Sequence, residues 1–144
     1  MKVKSFRGKL ASGTQERIRL STNNGLTGYK IVKFQLFPTD NYGTSNQEMV
    51  SKVSTQIFAN VNDAVDFSDP TLLAVNYFGL NTSAGQTGEM VVFDNIGFNQ
   101  DIHISYVDNG GSTLSANYYL ELEVVKLDLN EATVATLKDM RGRE

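Results

Sequence analysis

The stretch that most constrains this chain is 116–127. Read in steps of two, it places Ala116, Tyr118, Leu120, Leu122 and Val124 on one face, and Asn117, Tyr119, Glu121 and Glu123 on the other. That alternation marks a long strand with one buried and one wet face. Helical spacing would bring Glu123 together with Leu120, Tyr119 and Leu127 and so bury charge. After Val125 the parity slips: Lys126 and Asp128 are polar while Leu127 and Leu129 are apolar, so a bulge is expected near Val124 and Val125. The strand is expected at the centre of its sheet, with the chain folding around its apolar side.

The rest reads as more of the same element. Stretch 2–10 is a basic edge strand or arm, its lysines discouraging unwanted strand pairing. Stretch 17–20 alternates briefly, and the Asn24-Gly25 pair predicts a tight hairpin after it. In 29–37, Val32, Phe34 and Leu36 face one way until Pro38 stops the strand. In 49–58, Met49, Val53 and Ile57 point inward. Stretch 60–70 is an acidic connection; 72–78 is apolar on both parities and reads as a strand buried on both faces. A polar loop is expected over 79–88, a short apolar strand over 90–93, and an alternating strand over 101–107. The turn residues 108–112 then predict a hairpin directly into 116–127.

The tail differs in kind. Asn130 reads as an N-cap, Glu131 complements the helix start, Lys138 and Arg141 suit its end, and Gly142 is the stop. Val134, Leu137 and Met140 form a thin apolar stripe at helical spacing. A helix of about ten residues is marginal alone in water, so it must pack on its own domain or on a neighbour. The expected architecture is all-β: an antiparallel β-sandwich of jelly-roll type with about eight strands and a short C-terminal helix or arm. Residues 1–129 form the sandwich and 130–144 the helical tail; 144 residues are enough for one self-sufficient core.

Composition removes several chemistries. With no cysteine there are no disulfides, thiolate metal sites or cysteine nucleophiles. Stretch 1–10 is charged without an apolar run, so no signal peptide is expected, and no window has the apolar length of a membrane span. His103 is the only histidine, and no serine sits in a Gly-x-Ser-x-Gly context, so a hydrolase triad has no basis. Asp63, Asp66 and Asp69 offer oxygen ligands, but their spacing is not that of an EF-hand, and loop aspartates ordinarily accept local backbone hydrogen bonds. Glu121 and Glu123, about 7 Å apart on one strand face, have a separation open to glycosidase chemistry, but the chain has no tryptophan for a sugar groove. Gly79, Gly85 and Gly88 fit no phosphate-loop spacing, Gly110 and Gly111 read as turn residues, and Asn81-Thr82-Ser83 matches a glycosylation acceptor by accident. No catalytic, cofactor or metal residue is assigned.

Charge is what remains. Residues 1–33 carry eight basic side chains against one acid, net +7, and the other 111 carry five against fifteen, net −10. The two regions can neutralise each other across adjacent strands, or meet a second copy or an acidic partner through opposite patches. Nucleic acid ranks lower, because Phe6 alone supplies an aromatic within the basic run.

The run 127–144, the segments 2–10, 17–23 and 28–38, and the tetrapeptide Val92-Phe93-Asp94-Asn95 resemble small β-rich virion proteins of marine tailed bacteriophages. The resemblance implies a structural part of the particle, most simply a capsid decoration (cement) protein on the major capsid protein, assembled in the host bacterial cytoplasm and without a catalytic site. Together these readings predict a non-enzymatic symmetric oligomer, a trimer being the expected count. Lys2, Lys4, Arg7 and Lys9 would meet an acidic surface, and Val134, Leu137 and Met140 would dock on a partner or a neighbouring copy. The competing readings are a carbohydrate-binding sandwich of a head or tail fibre, using Tyr42, Tyr77 or Tyr119, a tail or neck component, and a small hydrolase at Glu121 and Glu123.

Overall fold

The computed structural model describes residues 2–22, 25–39, 46–81, 85–93, 97–110 and 113–142. Asn24, Tyr42, Thr82, Ser83, Asp94, Asn95, Gly111, Ser112 and the side chain of Arg141, all invoked above, lie outside the described residues. Eight strands precede one helix: β1 (Lys2–Leu10), β2 (Thr14–Ile18), β3 (Thr27–Pro38), β4 (Gln47–Ser54), β5 (Leu72–Asn81), β6 (Gly85–Val92), β7 (Ile102–Asp108), β8 (Ala116–Lys126) and α1 (Leu129–Gly142). They form two antiparallel sheets, ordered β1-β8-β3 and β2-β7-β4-β5-β6. A jelly roll wraps strand pairs 1–8, 2–7, 3–6 and 4–5 into such a sandwich. Three of those pairs are present, and β6 extends the second sheet beyond β5 instead of pairing with β3. The β3 edge left open is tied across the sandwich by Asn76, whose Nδ2 donates to the Phe34 carbonyl at 2.9 Å.

β8 is the central strand of the smaller sheet, and its inward row is Ala116, Tyr118, Leu120 and Leu122, all buried. Opposite stand Met49, Val53, Ile102, Ile104 and Tyr106, and Phe34 closes the core from β3; the last six are fully shielded from solvent. Each such side chain contributes about 1.5–3 kcal/mol by leaving water. The Tyr106 hydroxyl keeps a partner in the core by donating to the Leu114 carbonyl at 2.6 Å. Tyr118 faces Gly8 on β1, where a Cβ would come within 2.8 Å of its ring, and its hydroxyl reaches Glu16 on β2 at 3.1 Å.

Several expectations are corrected. The β1–β8 register runs unbroken, so β8 has no bulge opposite β1; the slip lies in β3 between Ile31 and Lys33. The extra residue there, Val32, turns out to solvent, which lets Ile31 and Phe34 both face the core despite their opposite parity. β4 ends at Ser54, and Ile57 is exposed. The chain after Asp108 makes no hairpin: β7 already has β2 and β4 on its two edges, so β8 must cross to the other sheet. Asp108 shapes the corner, accepting from the amides of Glu48 and Gly110 and, at 2.9 Å, of Leu114. The link from β2 to β3 likewise changes sheet, through Gly25 at φ +67°. The real hairpin is β5–β6, closed by the Asn81–Gly85 pair inside the expected polar loop. β6 is exposed along almost its whole length, so it carries no hydrophobic period to read.

Residues 55–71 fold back over the outer face of the five-stranded sheet. The Gln15 side chain exchanges two hydrogen bonds with the Phe58 backbone, at 2.9 and 3.0 Å, and Phe67 packs edge-on against Phe93 at 5.3 Å between ring centres. That cover is why β5 is buried on both parities. On the outer face of the three-stranded sheet, Val3, Ser5, Arg7, Lys9 and Asn117 are exposed among the described residues.

Candidate functional site

The C-terminal helix is capped two residues before the expected position. Asp128, not Asn130, is the N-cap: its Oδ1 accepts from the Glu131 amide at 2.8 Å, which also holds the Asp128 carboxyl below the usual carboxylate range. The helix then docks by its polar side. Ala132 and Asp139 are buried, alone among its described side chains. The wholly buried Asn99 donates from Nδ2 to the Gly25 carbonyl and to Thr136 Oγ1, both at 3.0 Å, and more weakly to the Ala132 carbonyl at 3.3 Å. Gln56 Nε2 donates to the Asp139 carbonyl at 3.0 Å. Positions 132, 136 and 139 share one face at helical spacing, and the stripe 134, 137, 140 lies round the cylinder from it. Leu129, Val134, Leu137 and Met140 are therefore 74%, 53%, 44% and 54% exposed. The amphipathic helix is mounted inside out.

Between α1 and the ends of β3 and β8 runs a groove of about 420 Å³. Tyr29, Phe98, Leu127 and Val134 supply its apolar walls, and Lys30 and Lys138 its cations; Glu131 is the single acid among its lining residues. Tyr29 and Phe98 are fixed by reciprocal backbone hydrogen bonds of 2.7 and 3.0 Å, with their rings stacked at 6.1 Å. Burial raises the Tyr29 pKa, and Lys4 Nζ stands 6.0 Å from its ring centre. Gly28 is required here, since a Cβ would lie 2.9 Å from the Leu127 side chain. Of the apolar stripe, Val134 lines this groove, whereas Leu137 and Met140 stand apart from it.

The basic N-terminal residues are not a free arm. β1 is paired with β8 along its whole length, which puts Lys2 and Lys4 opposite Val124 and Leu122 on the core-facing parity, and Arg7 and Lys9 opposite Tyr119 and Asn117 on the outer face. On that outer face Lys30 stands opposite Glu123 and Lys33 opposite Glu121. Part of the charge split is thus balanced across neighbouring strands. Glu121 also accepts from the Tyr119 hydroxyl at 2.6 Å. Arg17 and Asp101 pair across β2 and the start of β7, with Arg17 Nε donating at 2.8 Å.

His103 lies on the outer face of its strand, opposite Arg17 and Ser54. Asp66 and Asp69 each accept from a hydroxyl and an amide two residues on, those of Ser68 and Thr71. The cation of this loop is internal: buried Lys52 donates from Nζ to the Ala64 carbonyl at 2.7 Å and to Asn62 Oδ1 at 3.3 Å, beneath Asp63 and Asp69. Among the described residues no group of acids or histidine is arranged to hold a metal. A second groove, of about 500 Å³, gathers Tyr77, Tyr119 and Phe37 with Gln35, Asn117 and Glu89.

Asn99, Gln56, Lys52 and Asp101 escaped the reading of the sequence. Lys52 follows Ser51 on a strand and looks like one more polar-face residue; nothing local announces that residues 55–71 will cover it. No protein-family model matches the chain, and no curated protein matches it.

Proposed function

We propose that this chain is a non-enzymatic structural protein of a tailed-phage virion, a capsid decoration (cement) subunit that binds the major capsid shell as a symmetric oligomer, most simply a trimer. The observation that carries this reading is the inverted helix. A chain that spends Asn99, Thr136 and Asp139 on docking α1 and leaves Leu129, Val134, Leu137 and Met140 in water presents an apolar surface for another protein. Arg7 and Lys9, exposed on the outer face of the three-stranded sheet, suit an acidic partner surface. Light scattering of the purified chain together with proteomics of purified virions tests this. An oligomer found in particles, with Leu137→Asp and Met140→Asp abolishing incorporation, supports it. A monomer missing from particles ends it.

A carbohydrate-binding module of a fibre is the second reading. The groove holding Phe37, Tyr77 and Tyr119 beside Gln35, Asn117 and Glu89 favours it, because flat rings with amides and a carboxylate suit sugar rings. A glycan array decides: binding lost in Tyr119→Ala supports this module, and an array with no signal removes it.

A further inference from the structure

Two surfaces of this molecule complement each other and are not joined within one copy. The first is the groove beside α1, with Tyr29, Phe98, Leu127 and Val134 as apolar walls, Lys30 and Lys138 in its lining, and Lys4 against Tyr29. The second is the segment 60–70, which carries Asp63, Asp66 and Asp69 and no basic residue. In it Val65 and Phe67 are 41% and 59% exposed. Phe67 is braced edge-on by Phe93, so its free face is held outward and little side-chain freedom remains to be lost on binding.

The segment sits over the outer face of the five-stranded sheet, where Lys52 anchors it. The groove opens between α1 and the ends of β3 and β8 of the three-stranded sheet, and no residue of 60–70 is among its lining residues. With Lys52 and Phe93 holding it elsewhere, the segment of one copy is not seated in that copy's own groove. We infer that segment 60–70 of one copy docks in the α1 groove of the next, Phe67 and Val65 against Val134, Leu127 and Phe98, and the aspartates against Lys30 and Lys138. Because the two patches differ, the contact is head-to-tail: it closes a ring when the rotation between copies allows and grows a filament when it does not. This rests on the oligomeric part of the proposed function and is independent of the virion. It assigns Val134 to the neighbouring copy and leaves Leu137 and Met140 for the shell.

The test uses the full chain in analytical ultracentrifugation. The wild-type protein associates with rising concentration, and association weakens at least tenfold between about 0.1 M and about 1 M salt, as aspartate–lysine contacts are screened. Phe67→Asp and Val134→Asp, each at an exposed position, are folded monomers that still melt cooperatively. Mixed, they form one heterodimer and nothing larger, since only one good segment and one good groove remain. Asp66→Lys and Lys138→Glu each weaken association, and the two combined in one chain restore it. Variants that keep the wild-type mass, or a mixture that stays monomeric, overturn the segment–groove contact while leaving the oligomer standing. A wild-type chain monomeric at every concentration overturns both.

Discussion

The ammonium of Lys52 donates to the carbonyl of Ala64 across 2.7 Å, at the centre of the one long connection in the fold. Burial pushes the Lys52 pKa down, and Asp63 and Asp69 pull it back up. The Phe58 ring lies 5.3 Å from the same nitrogen. Asn62 and Ala64 are themselves exposed, so they can turn to water if the lysine goes.

Lys52→Met should therefore separate the cover from the sandwich. Removing a buried charge and its desolvation penalty together leaves global stability within about 1 kcal/mol. The connection 55–71 nevertheless loses its anchor. Limited proteolysis should cut within 60–70 at least tenfold faster than in the wild-type protein, while the sandwich stays intact. Unchanged cleavage would mean that Gln15 and Phe67 hold the cover without Lys52.

Asp101 sets the acid limb of stability. Burial alone would raise its pKa. The amides of Ser21 and Leu20, at 2.9 and 2.7 Å, and the Arg17 guanidinium outweigh burial and hold the carboxyl well below its ordinary range. A folded-state pKa below the unfolded value of about 3.9 gives stability that is complete above that pH and is lost as the pH falls through the folded value. Asp101→Asn should cost about 1–3 kcal/mol at about pH 7 and much less at about pH 2. Urea midpoints at the two pH values check this: parallel losses at both would exclude the charge as the cause.

How much of this could be read beforehand depended on the range of the forces. The strand 116–127 was legible because its two faces differ in kind, and Leu120 and Leu122 do sit in the core. Which sheet each strand joins was not. Asp108, Asn109 and Gly110 are the same turn residues whether the chain doubles back or crosses over, and only the occupied edges of β7 decide. The helix was legible from its spacing, but its orientation was not, because Asn99 and Gln56 act on it from 37 and 83 residues away. The basic strand was legible as an edge. Its split between two faces follows from the β8 register, which no local pattern encodes.

Gly110 is the residue that the crossover requires. A Cβ there would fall on the Asn46 carbonyl and within 2.6 Å of Gln47 Cα, both backbone groups that cannot step aside as a flexible side chain would. Its φ is not in the left-handed region, so space rather than conformation sets the requirement. Gly110→Ala should destabilise by about 1–3 kcal/mol, in the range of overpacking. Gly13→Ala is the contrast: nothing lies within 4 Å of its Cβ, and only φ +83° opposes it. Crystal or NMR data on Gly110→Ala should show the start of β4 displaced. A native melting temperature in that variant would show that the corner gives way freely.

The inverted helix reverses the usual ranking of substitutions. In an ordinary amphipathic helix the apolar stripe holds the element down, and truncating it costs most. Here Asn99→Ala strips the Gly25 carbonyl, Thr136 and the Ala132 carbonyl of their donor, in a buried place, and should cost about 1–3 kcal/mol. Leu137→Ser and Met140→Ser change exposed side chains and should alter the stability of the isolated subunit by no more than about 0.5 kcal/mol. Hydrogen exchange resolves the two cases: amides of 129–142 should exchange faster in Asn99→Ala and at the wild-type rate in the serine variants. If the serine variants loosen the helix instead, its apolar side is packed on the subunit itself, and the surface offered to a partner is lost.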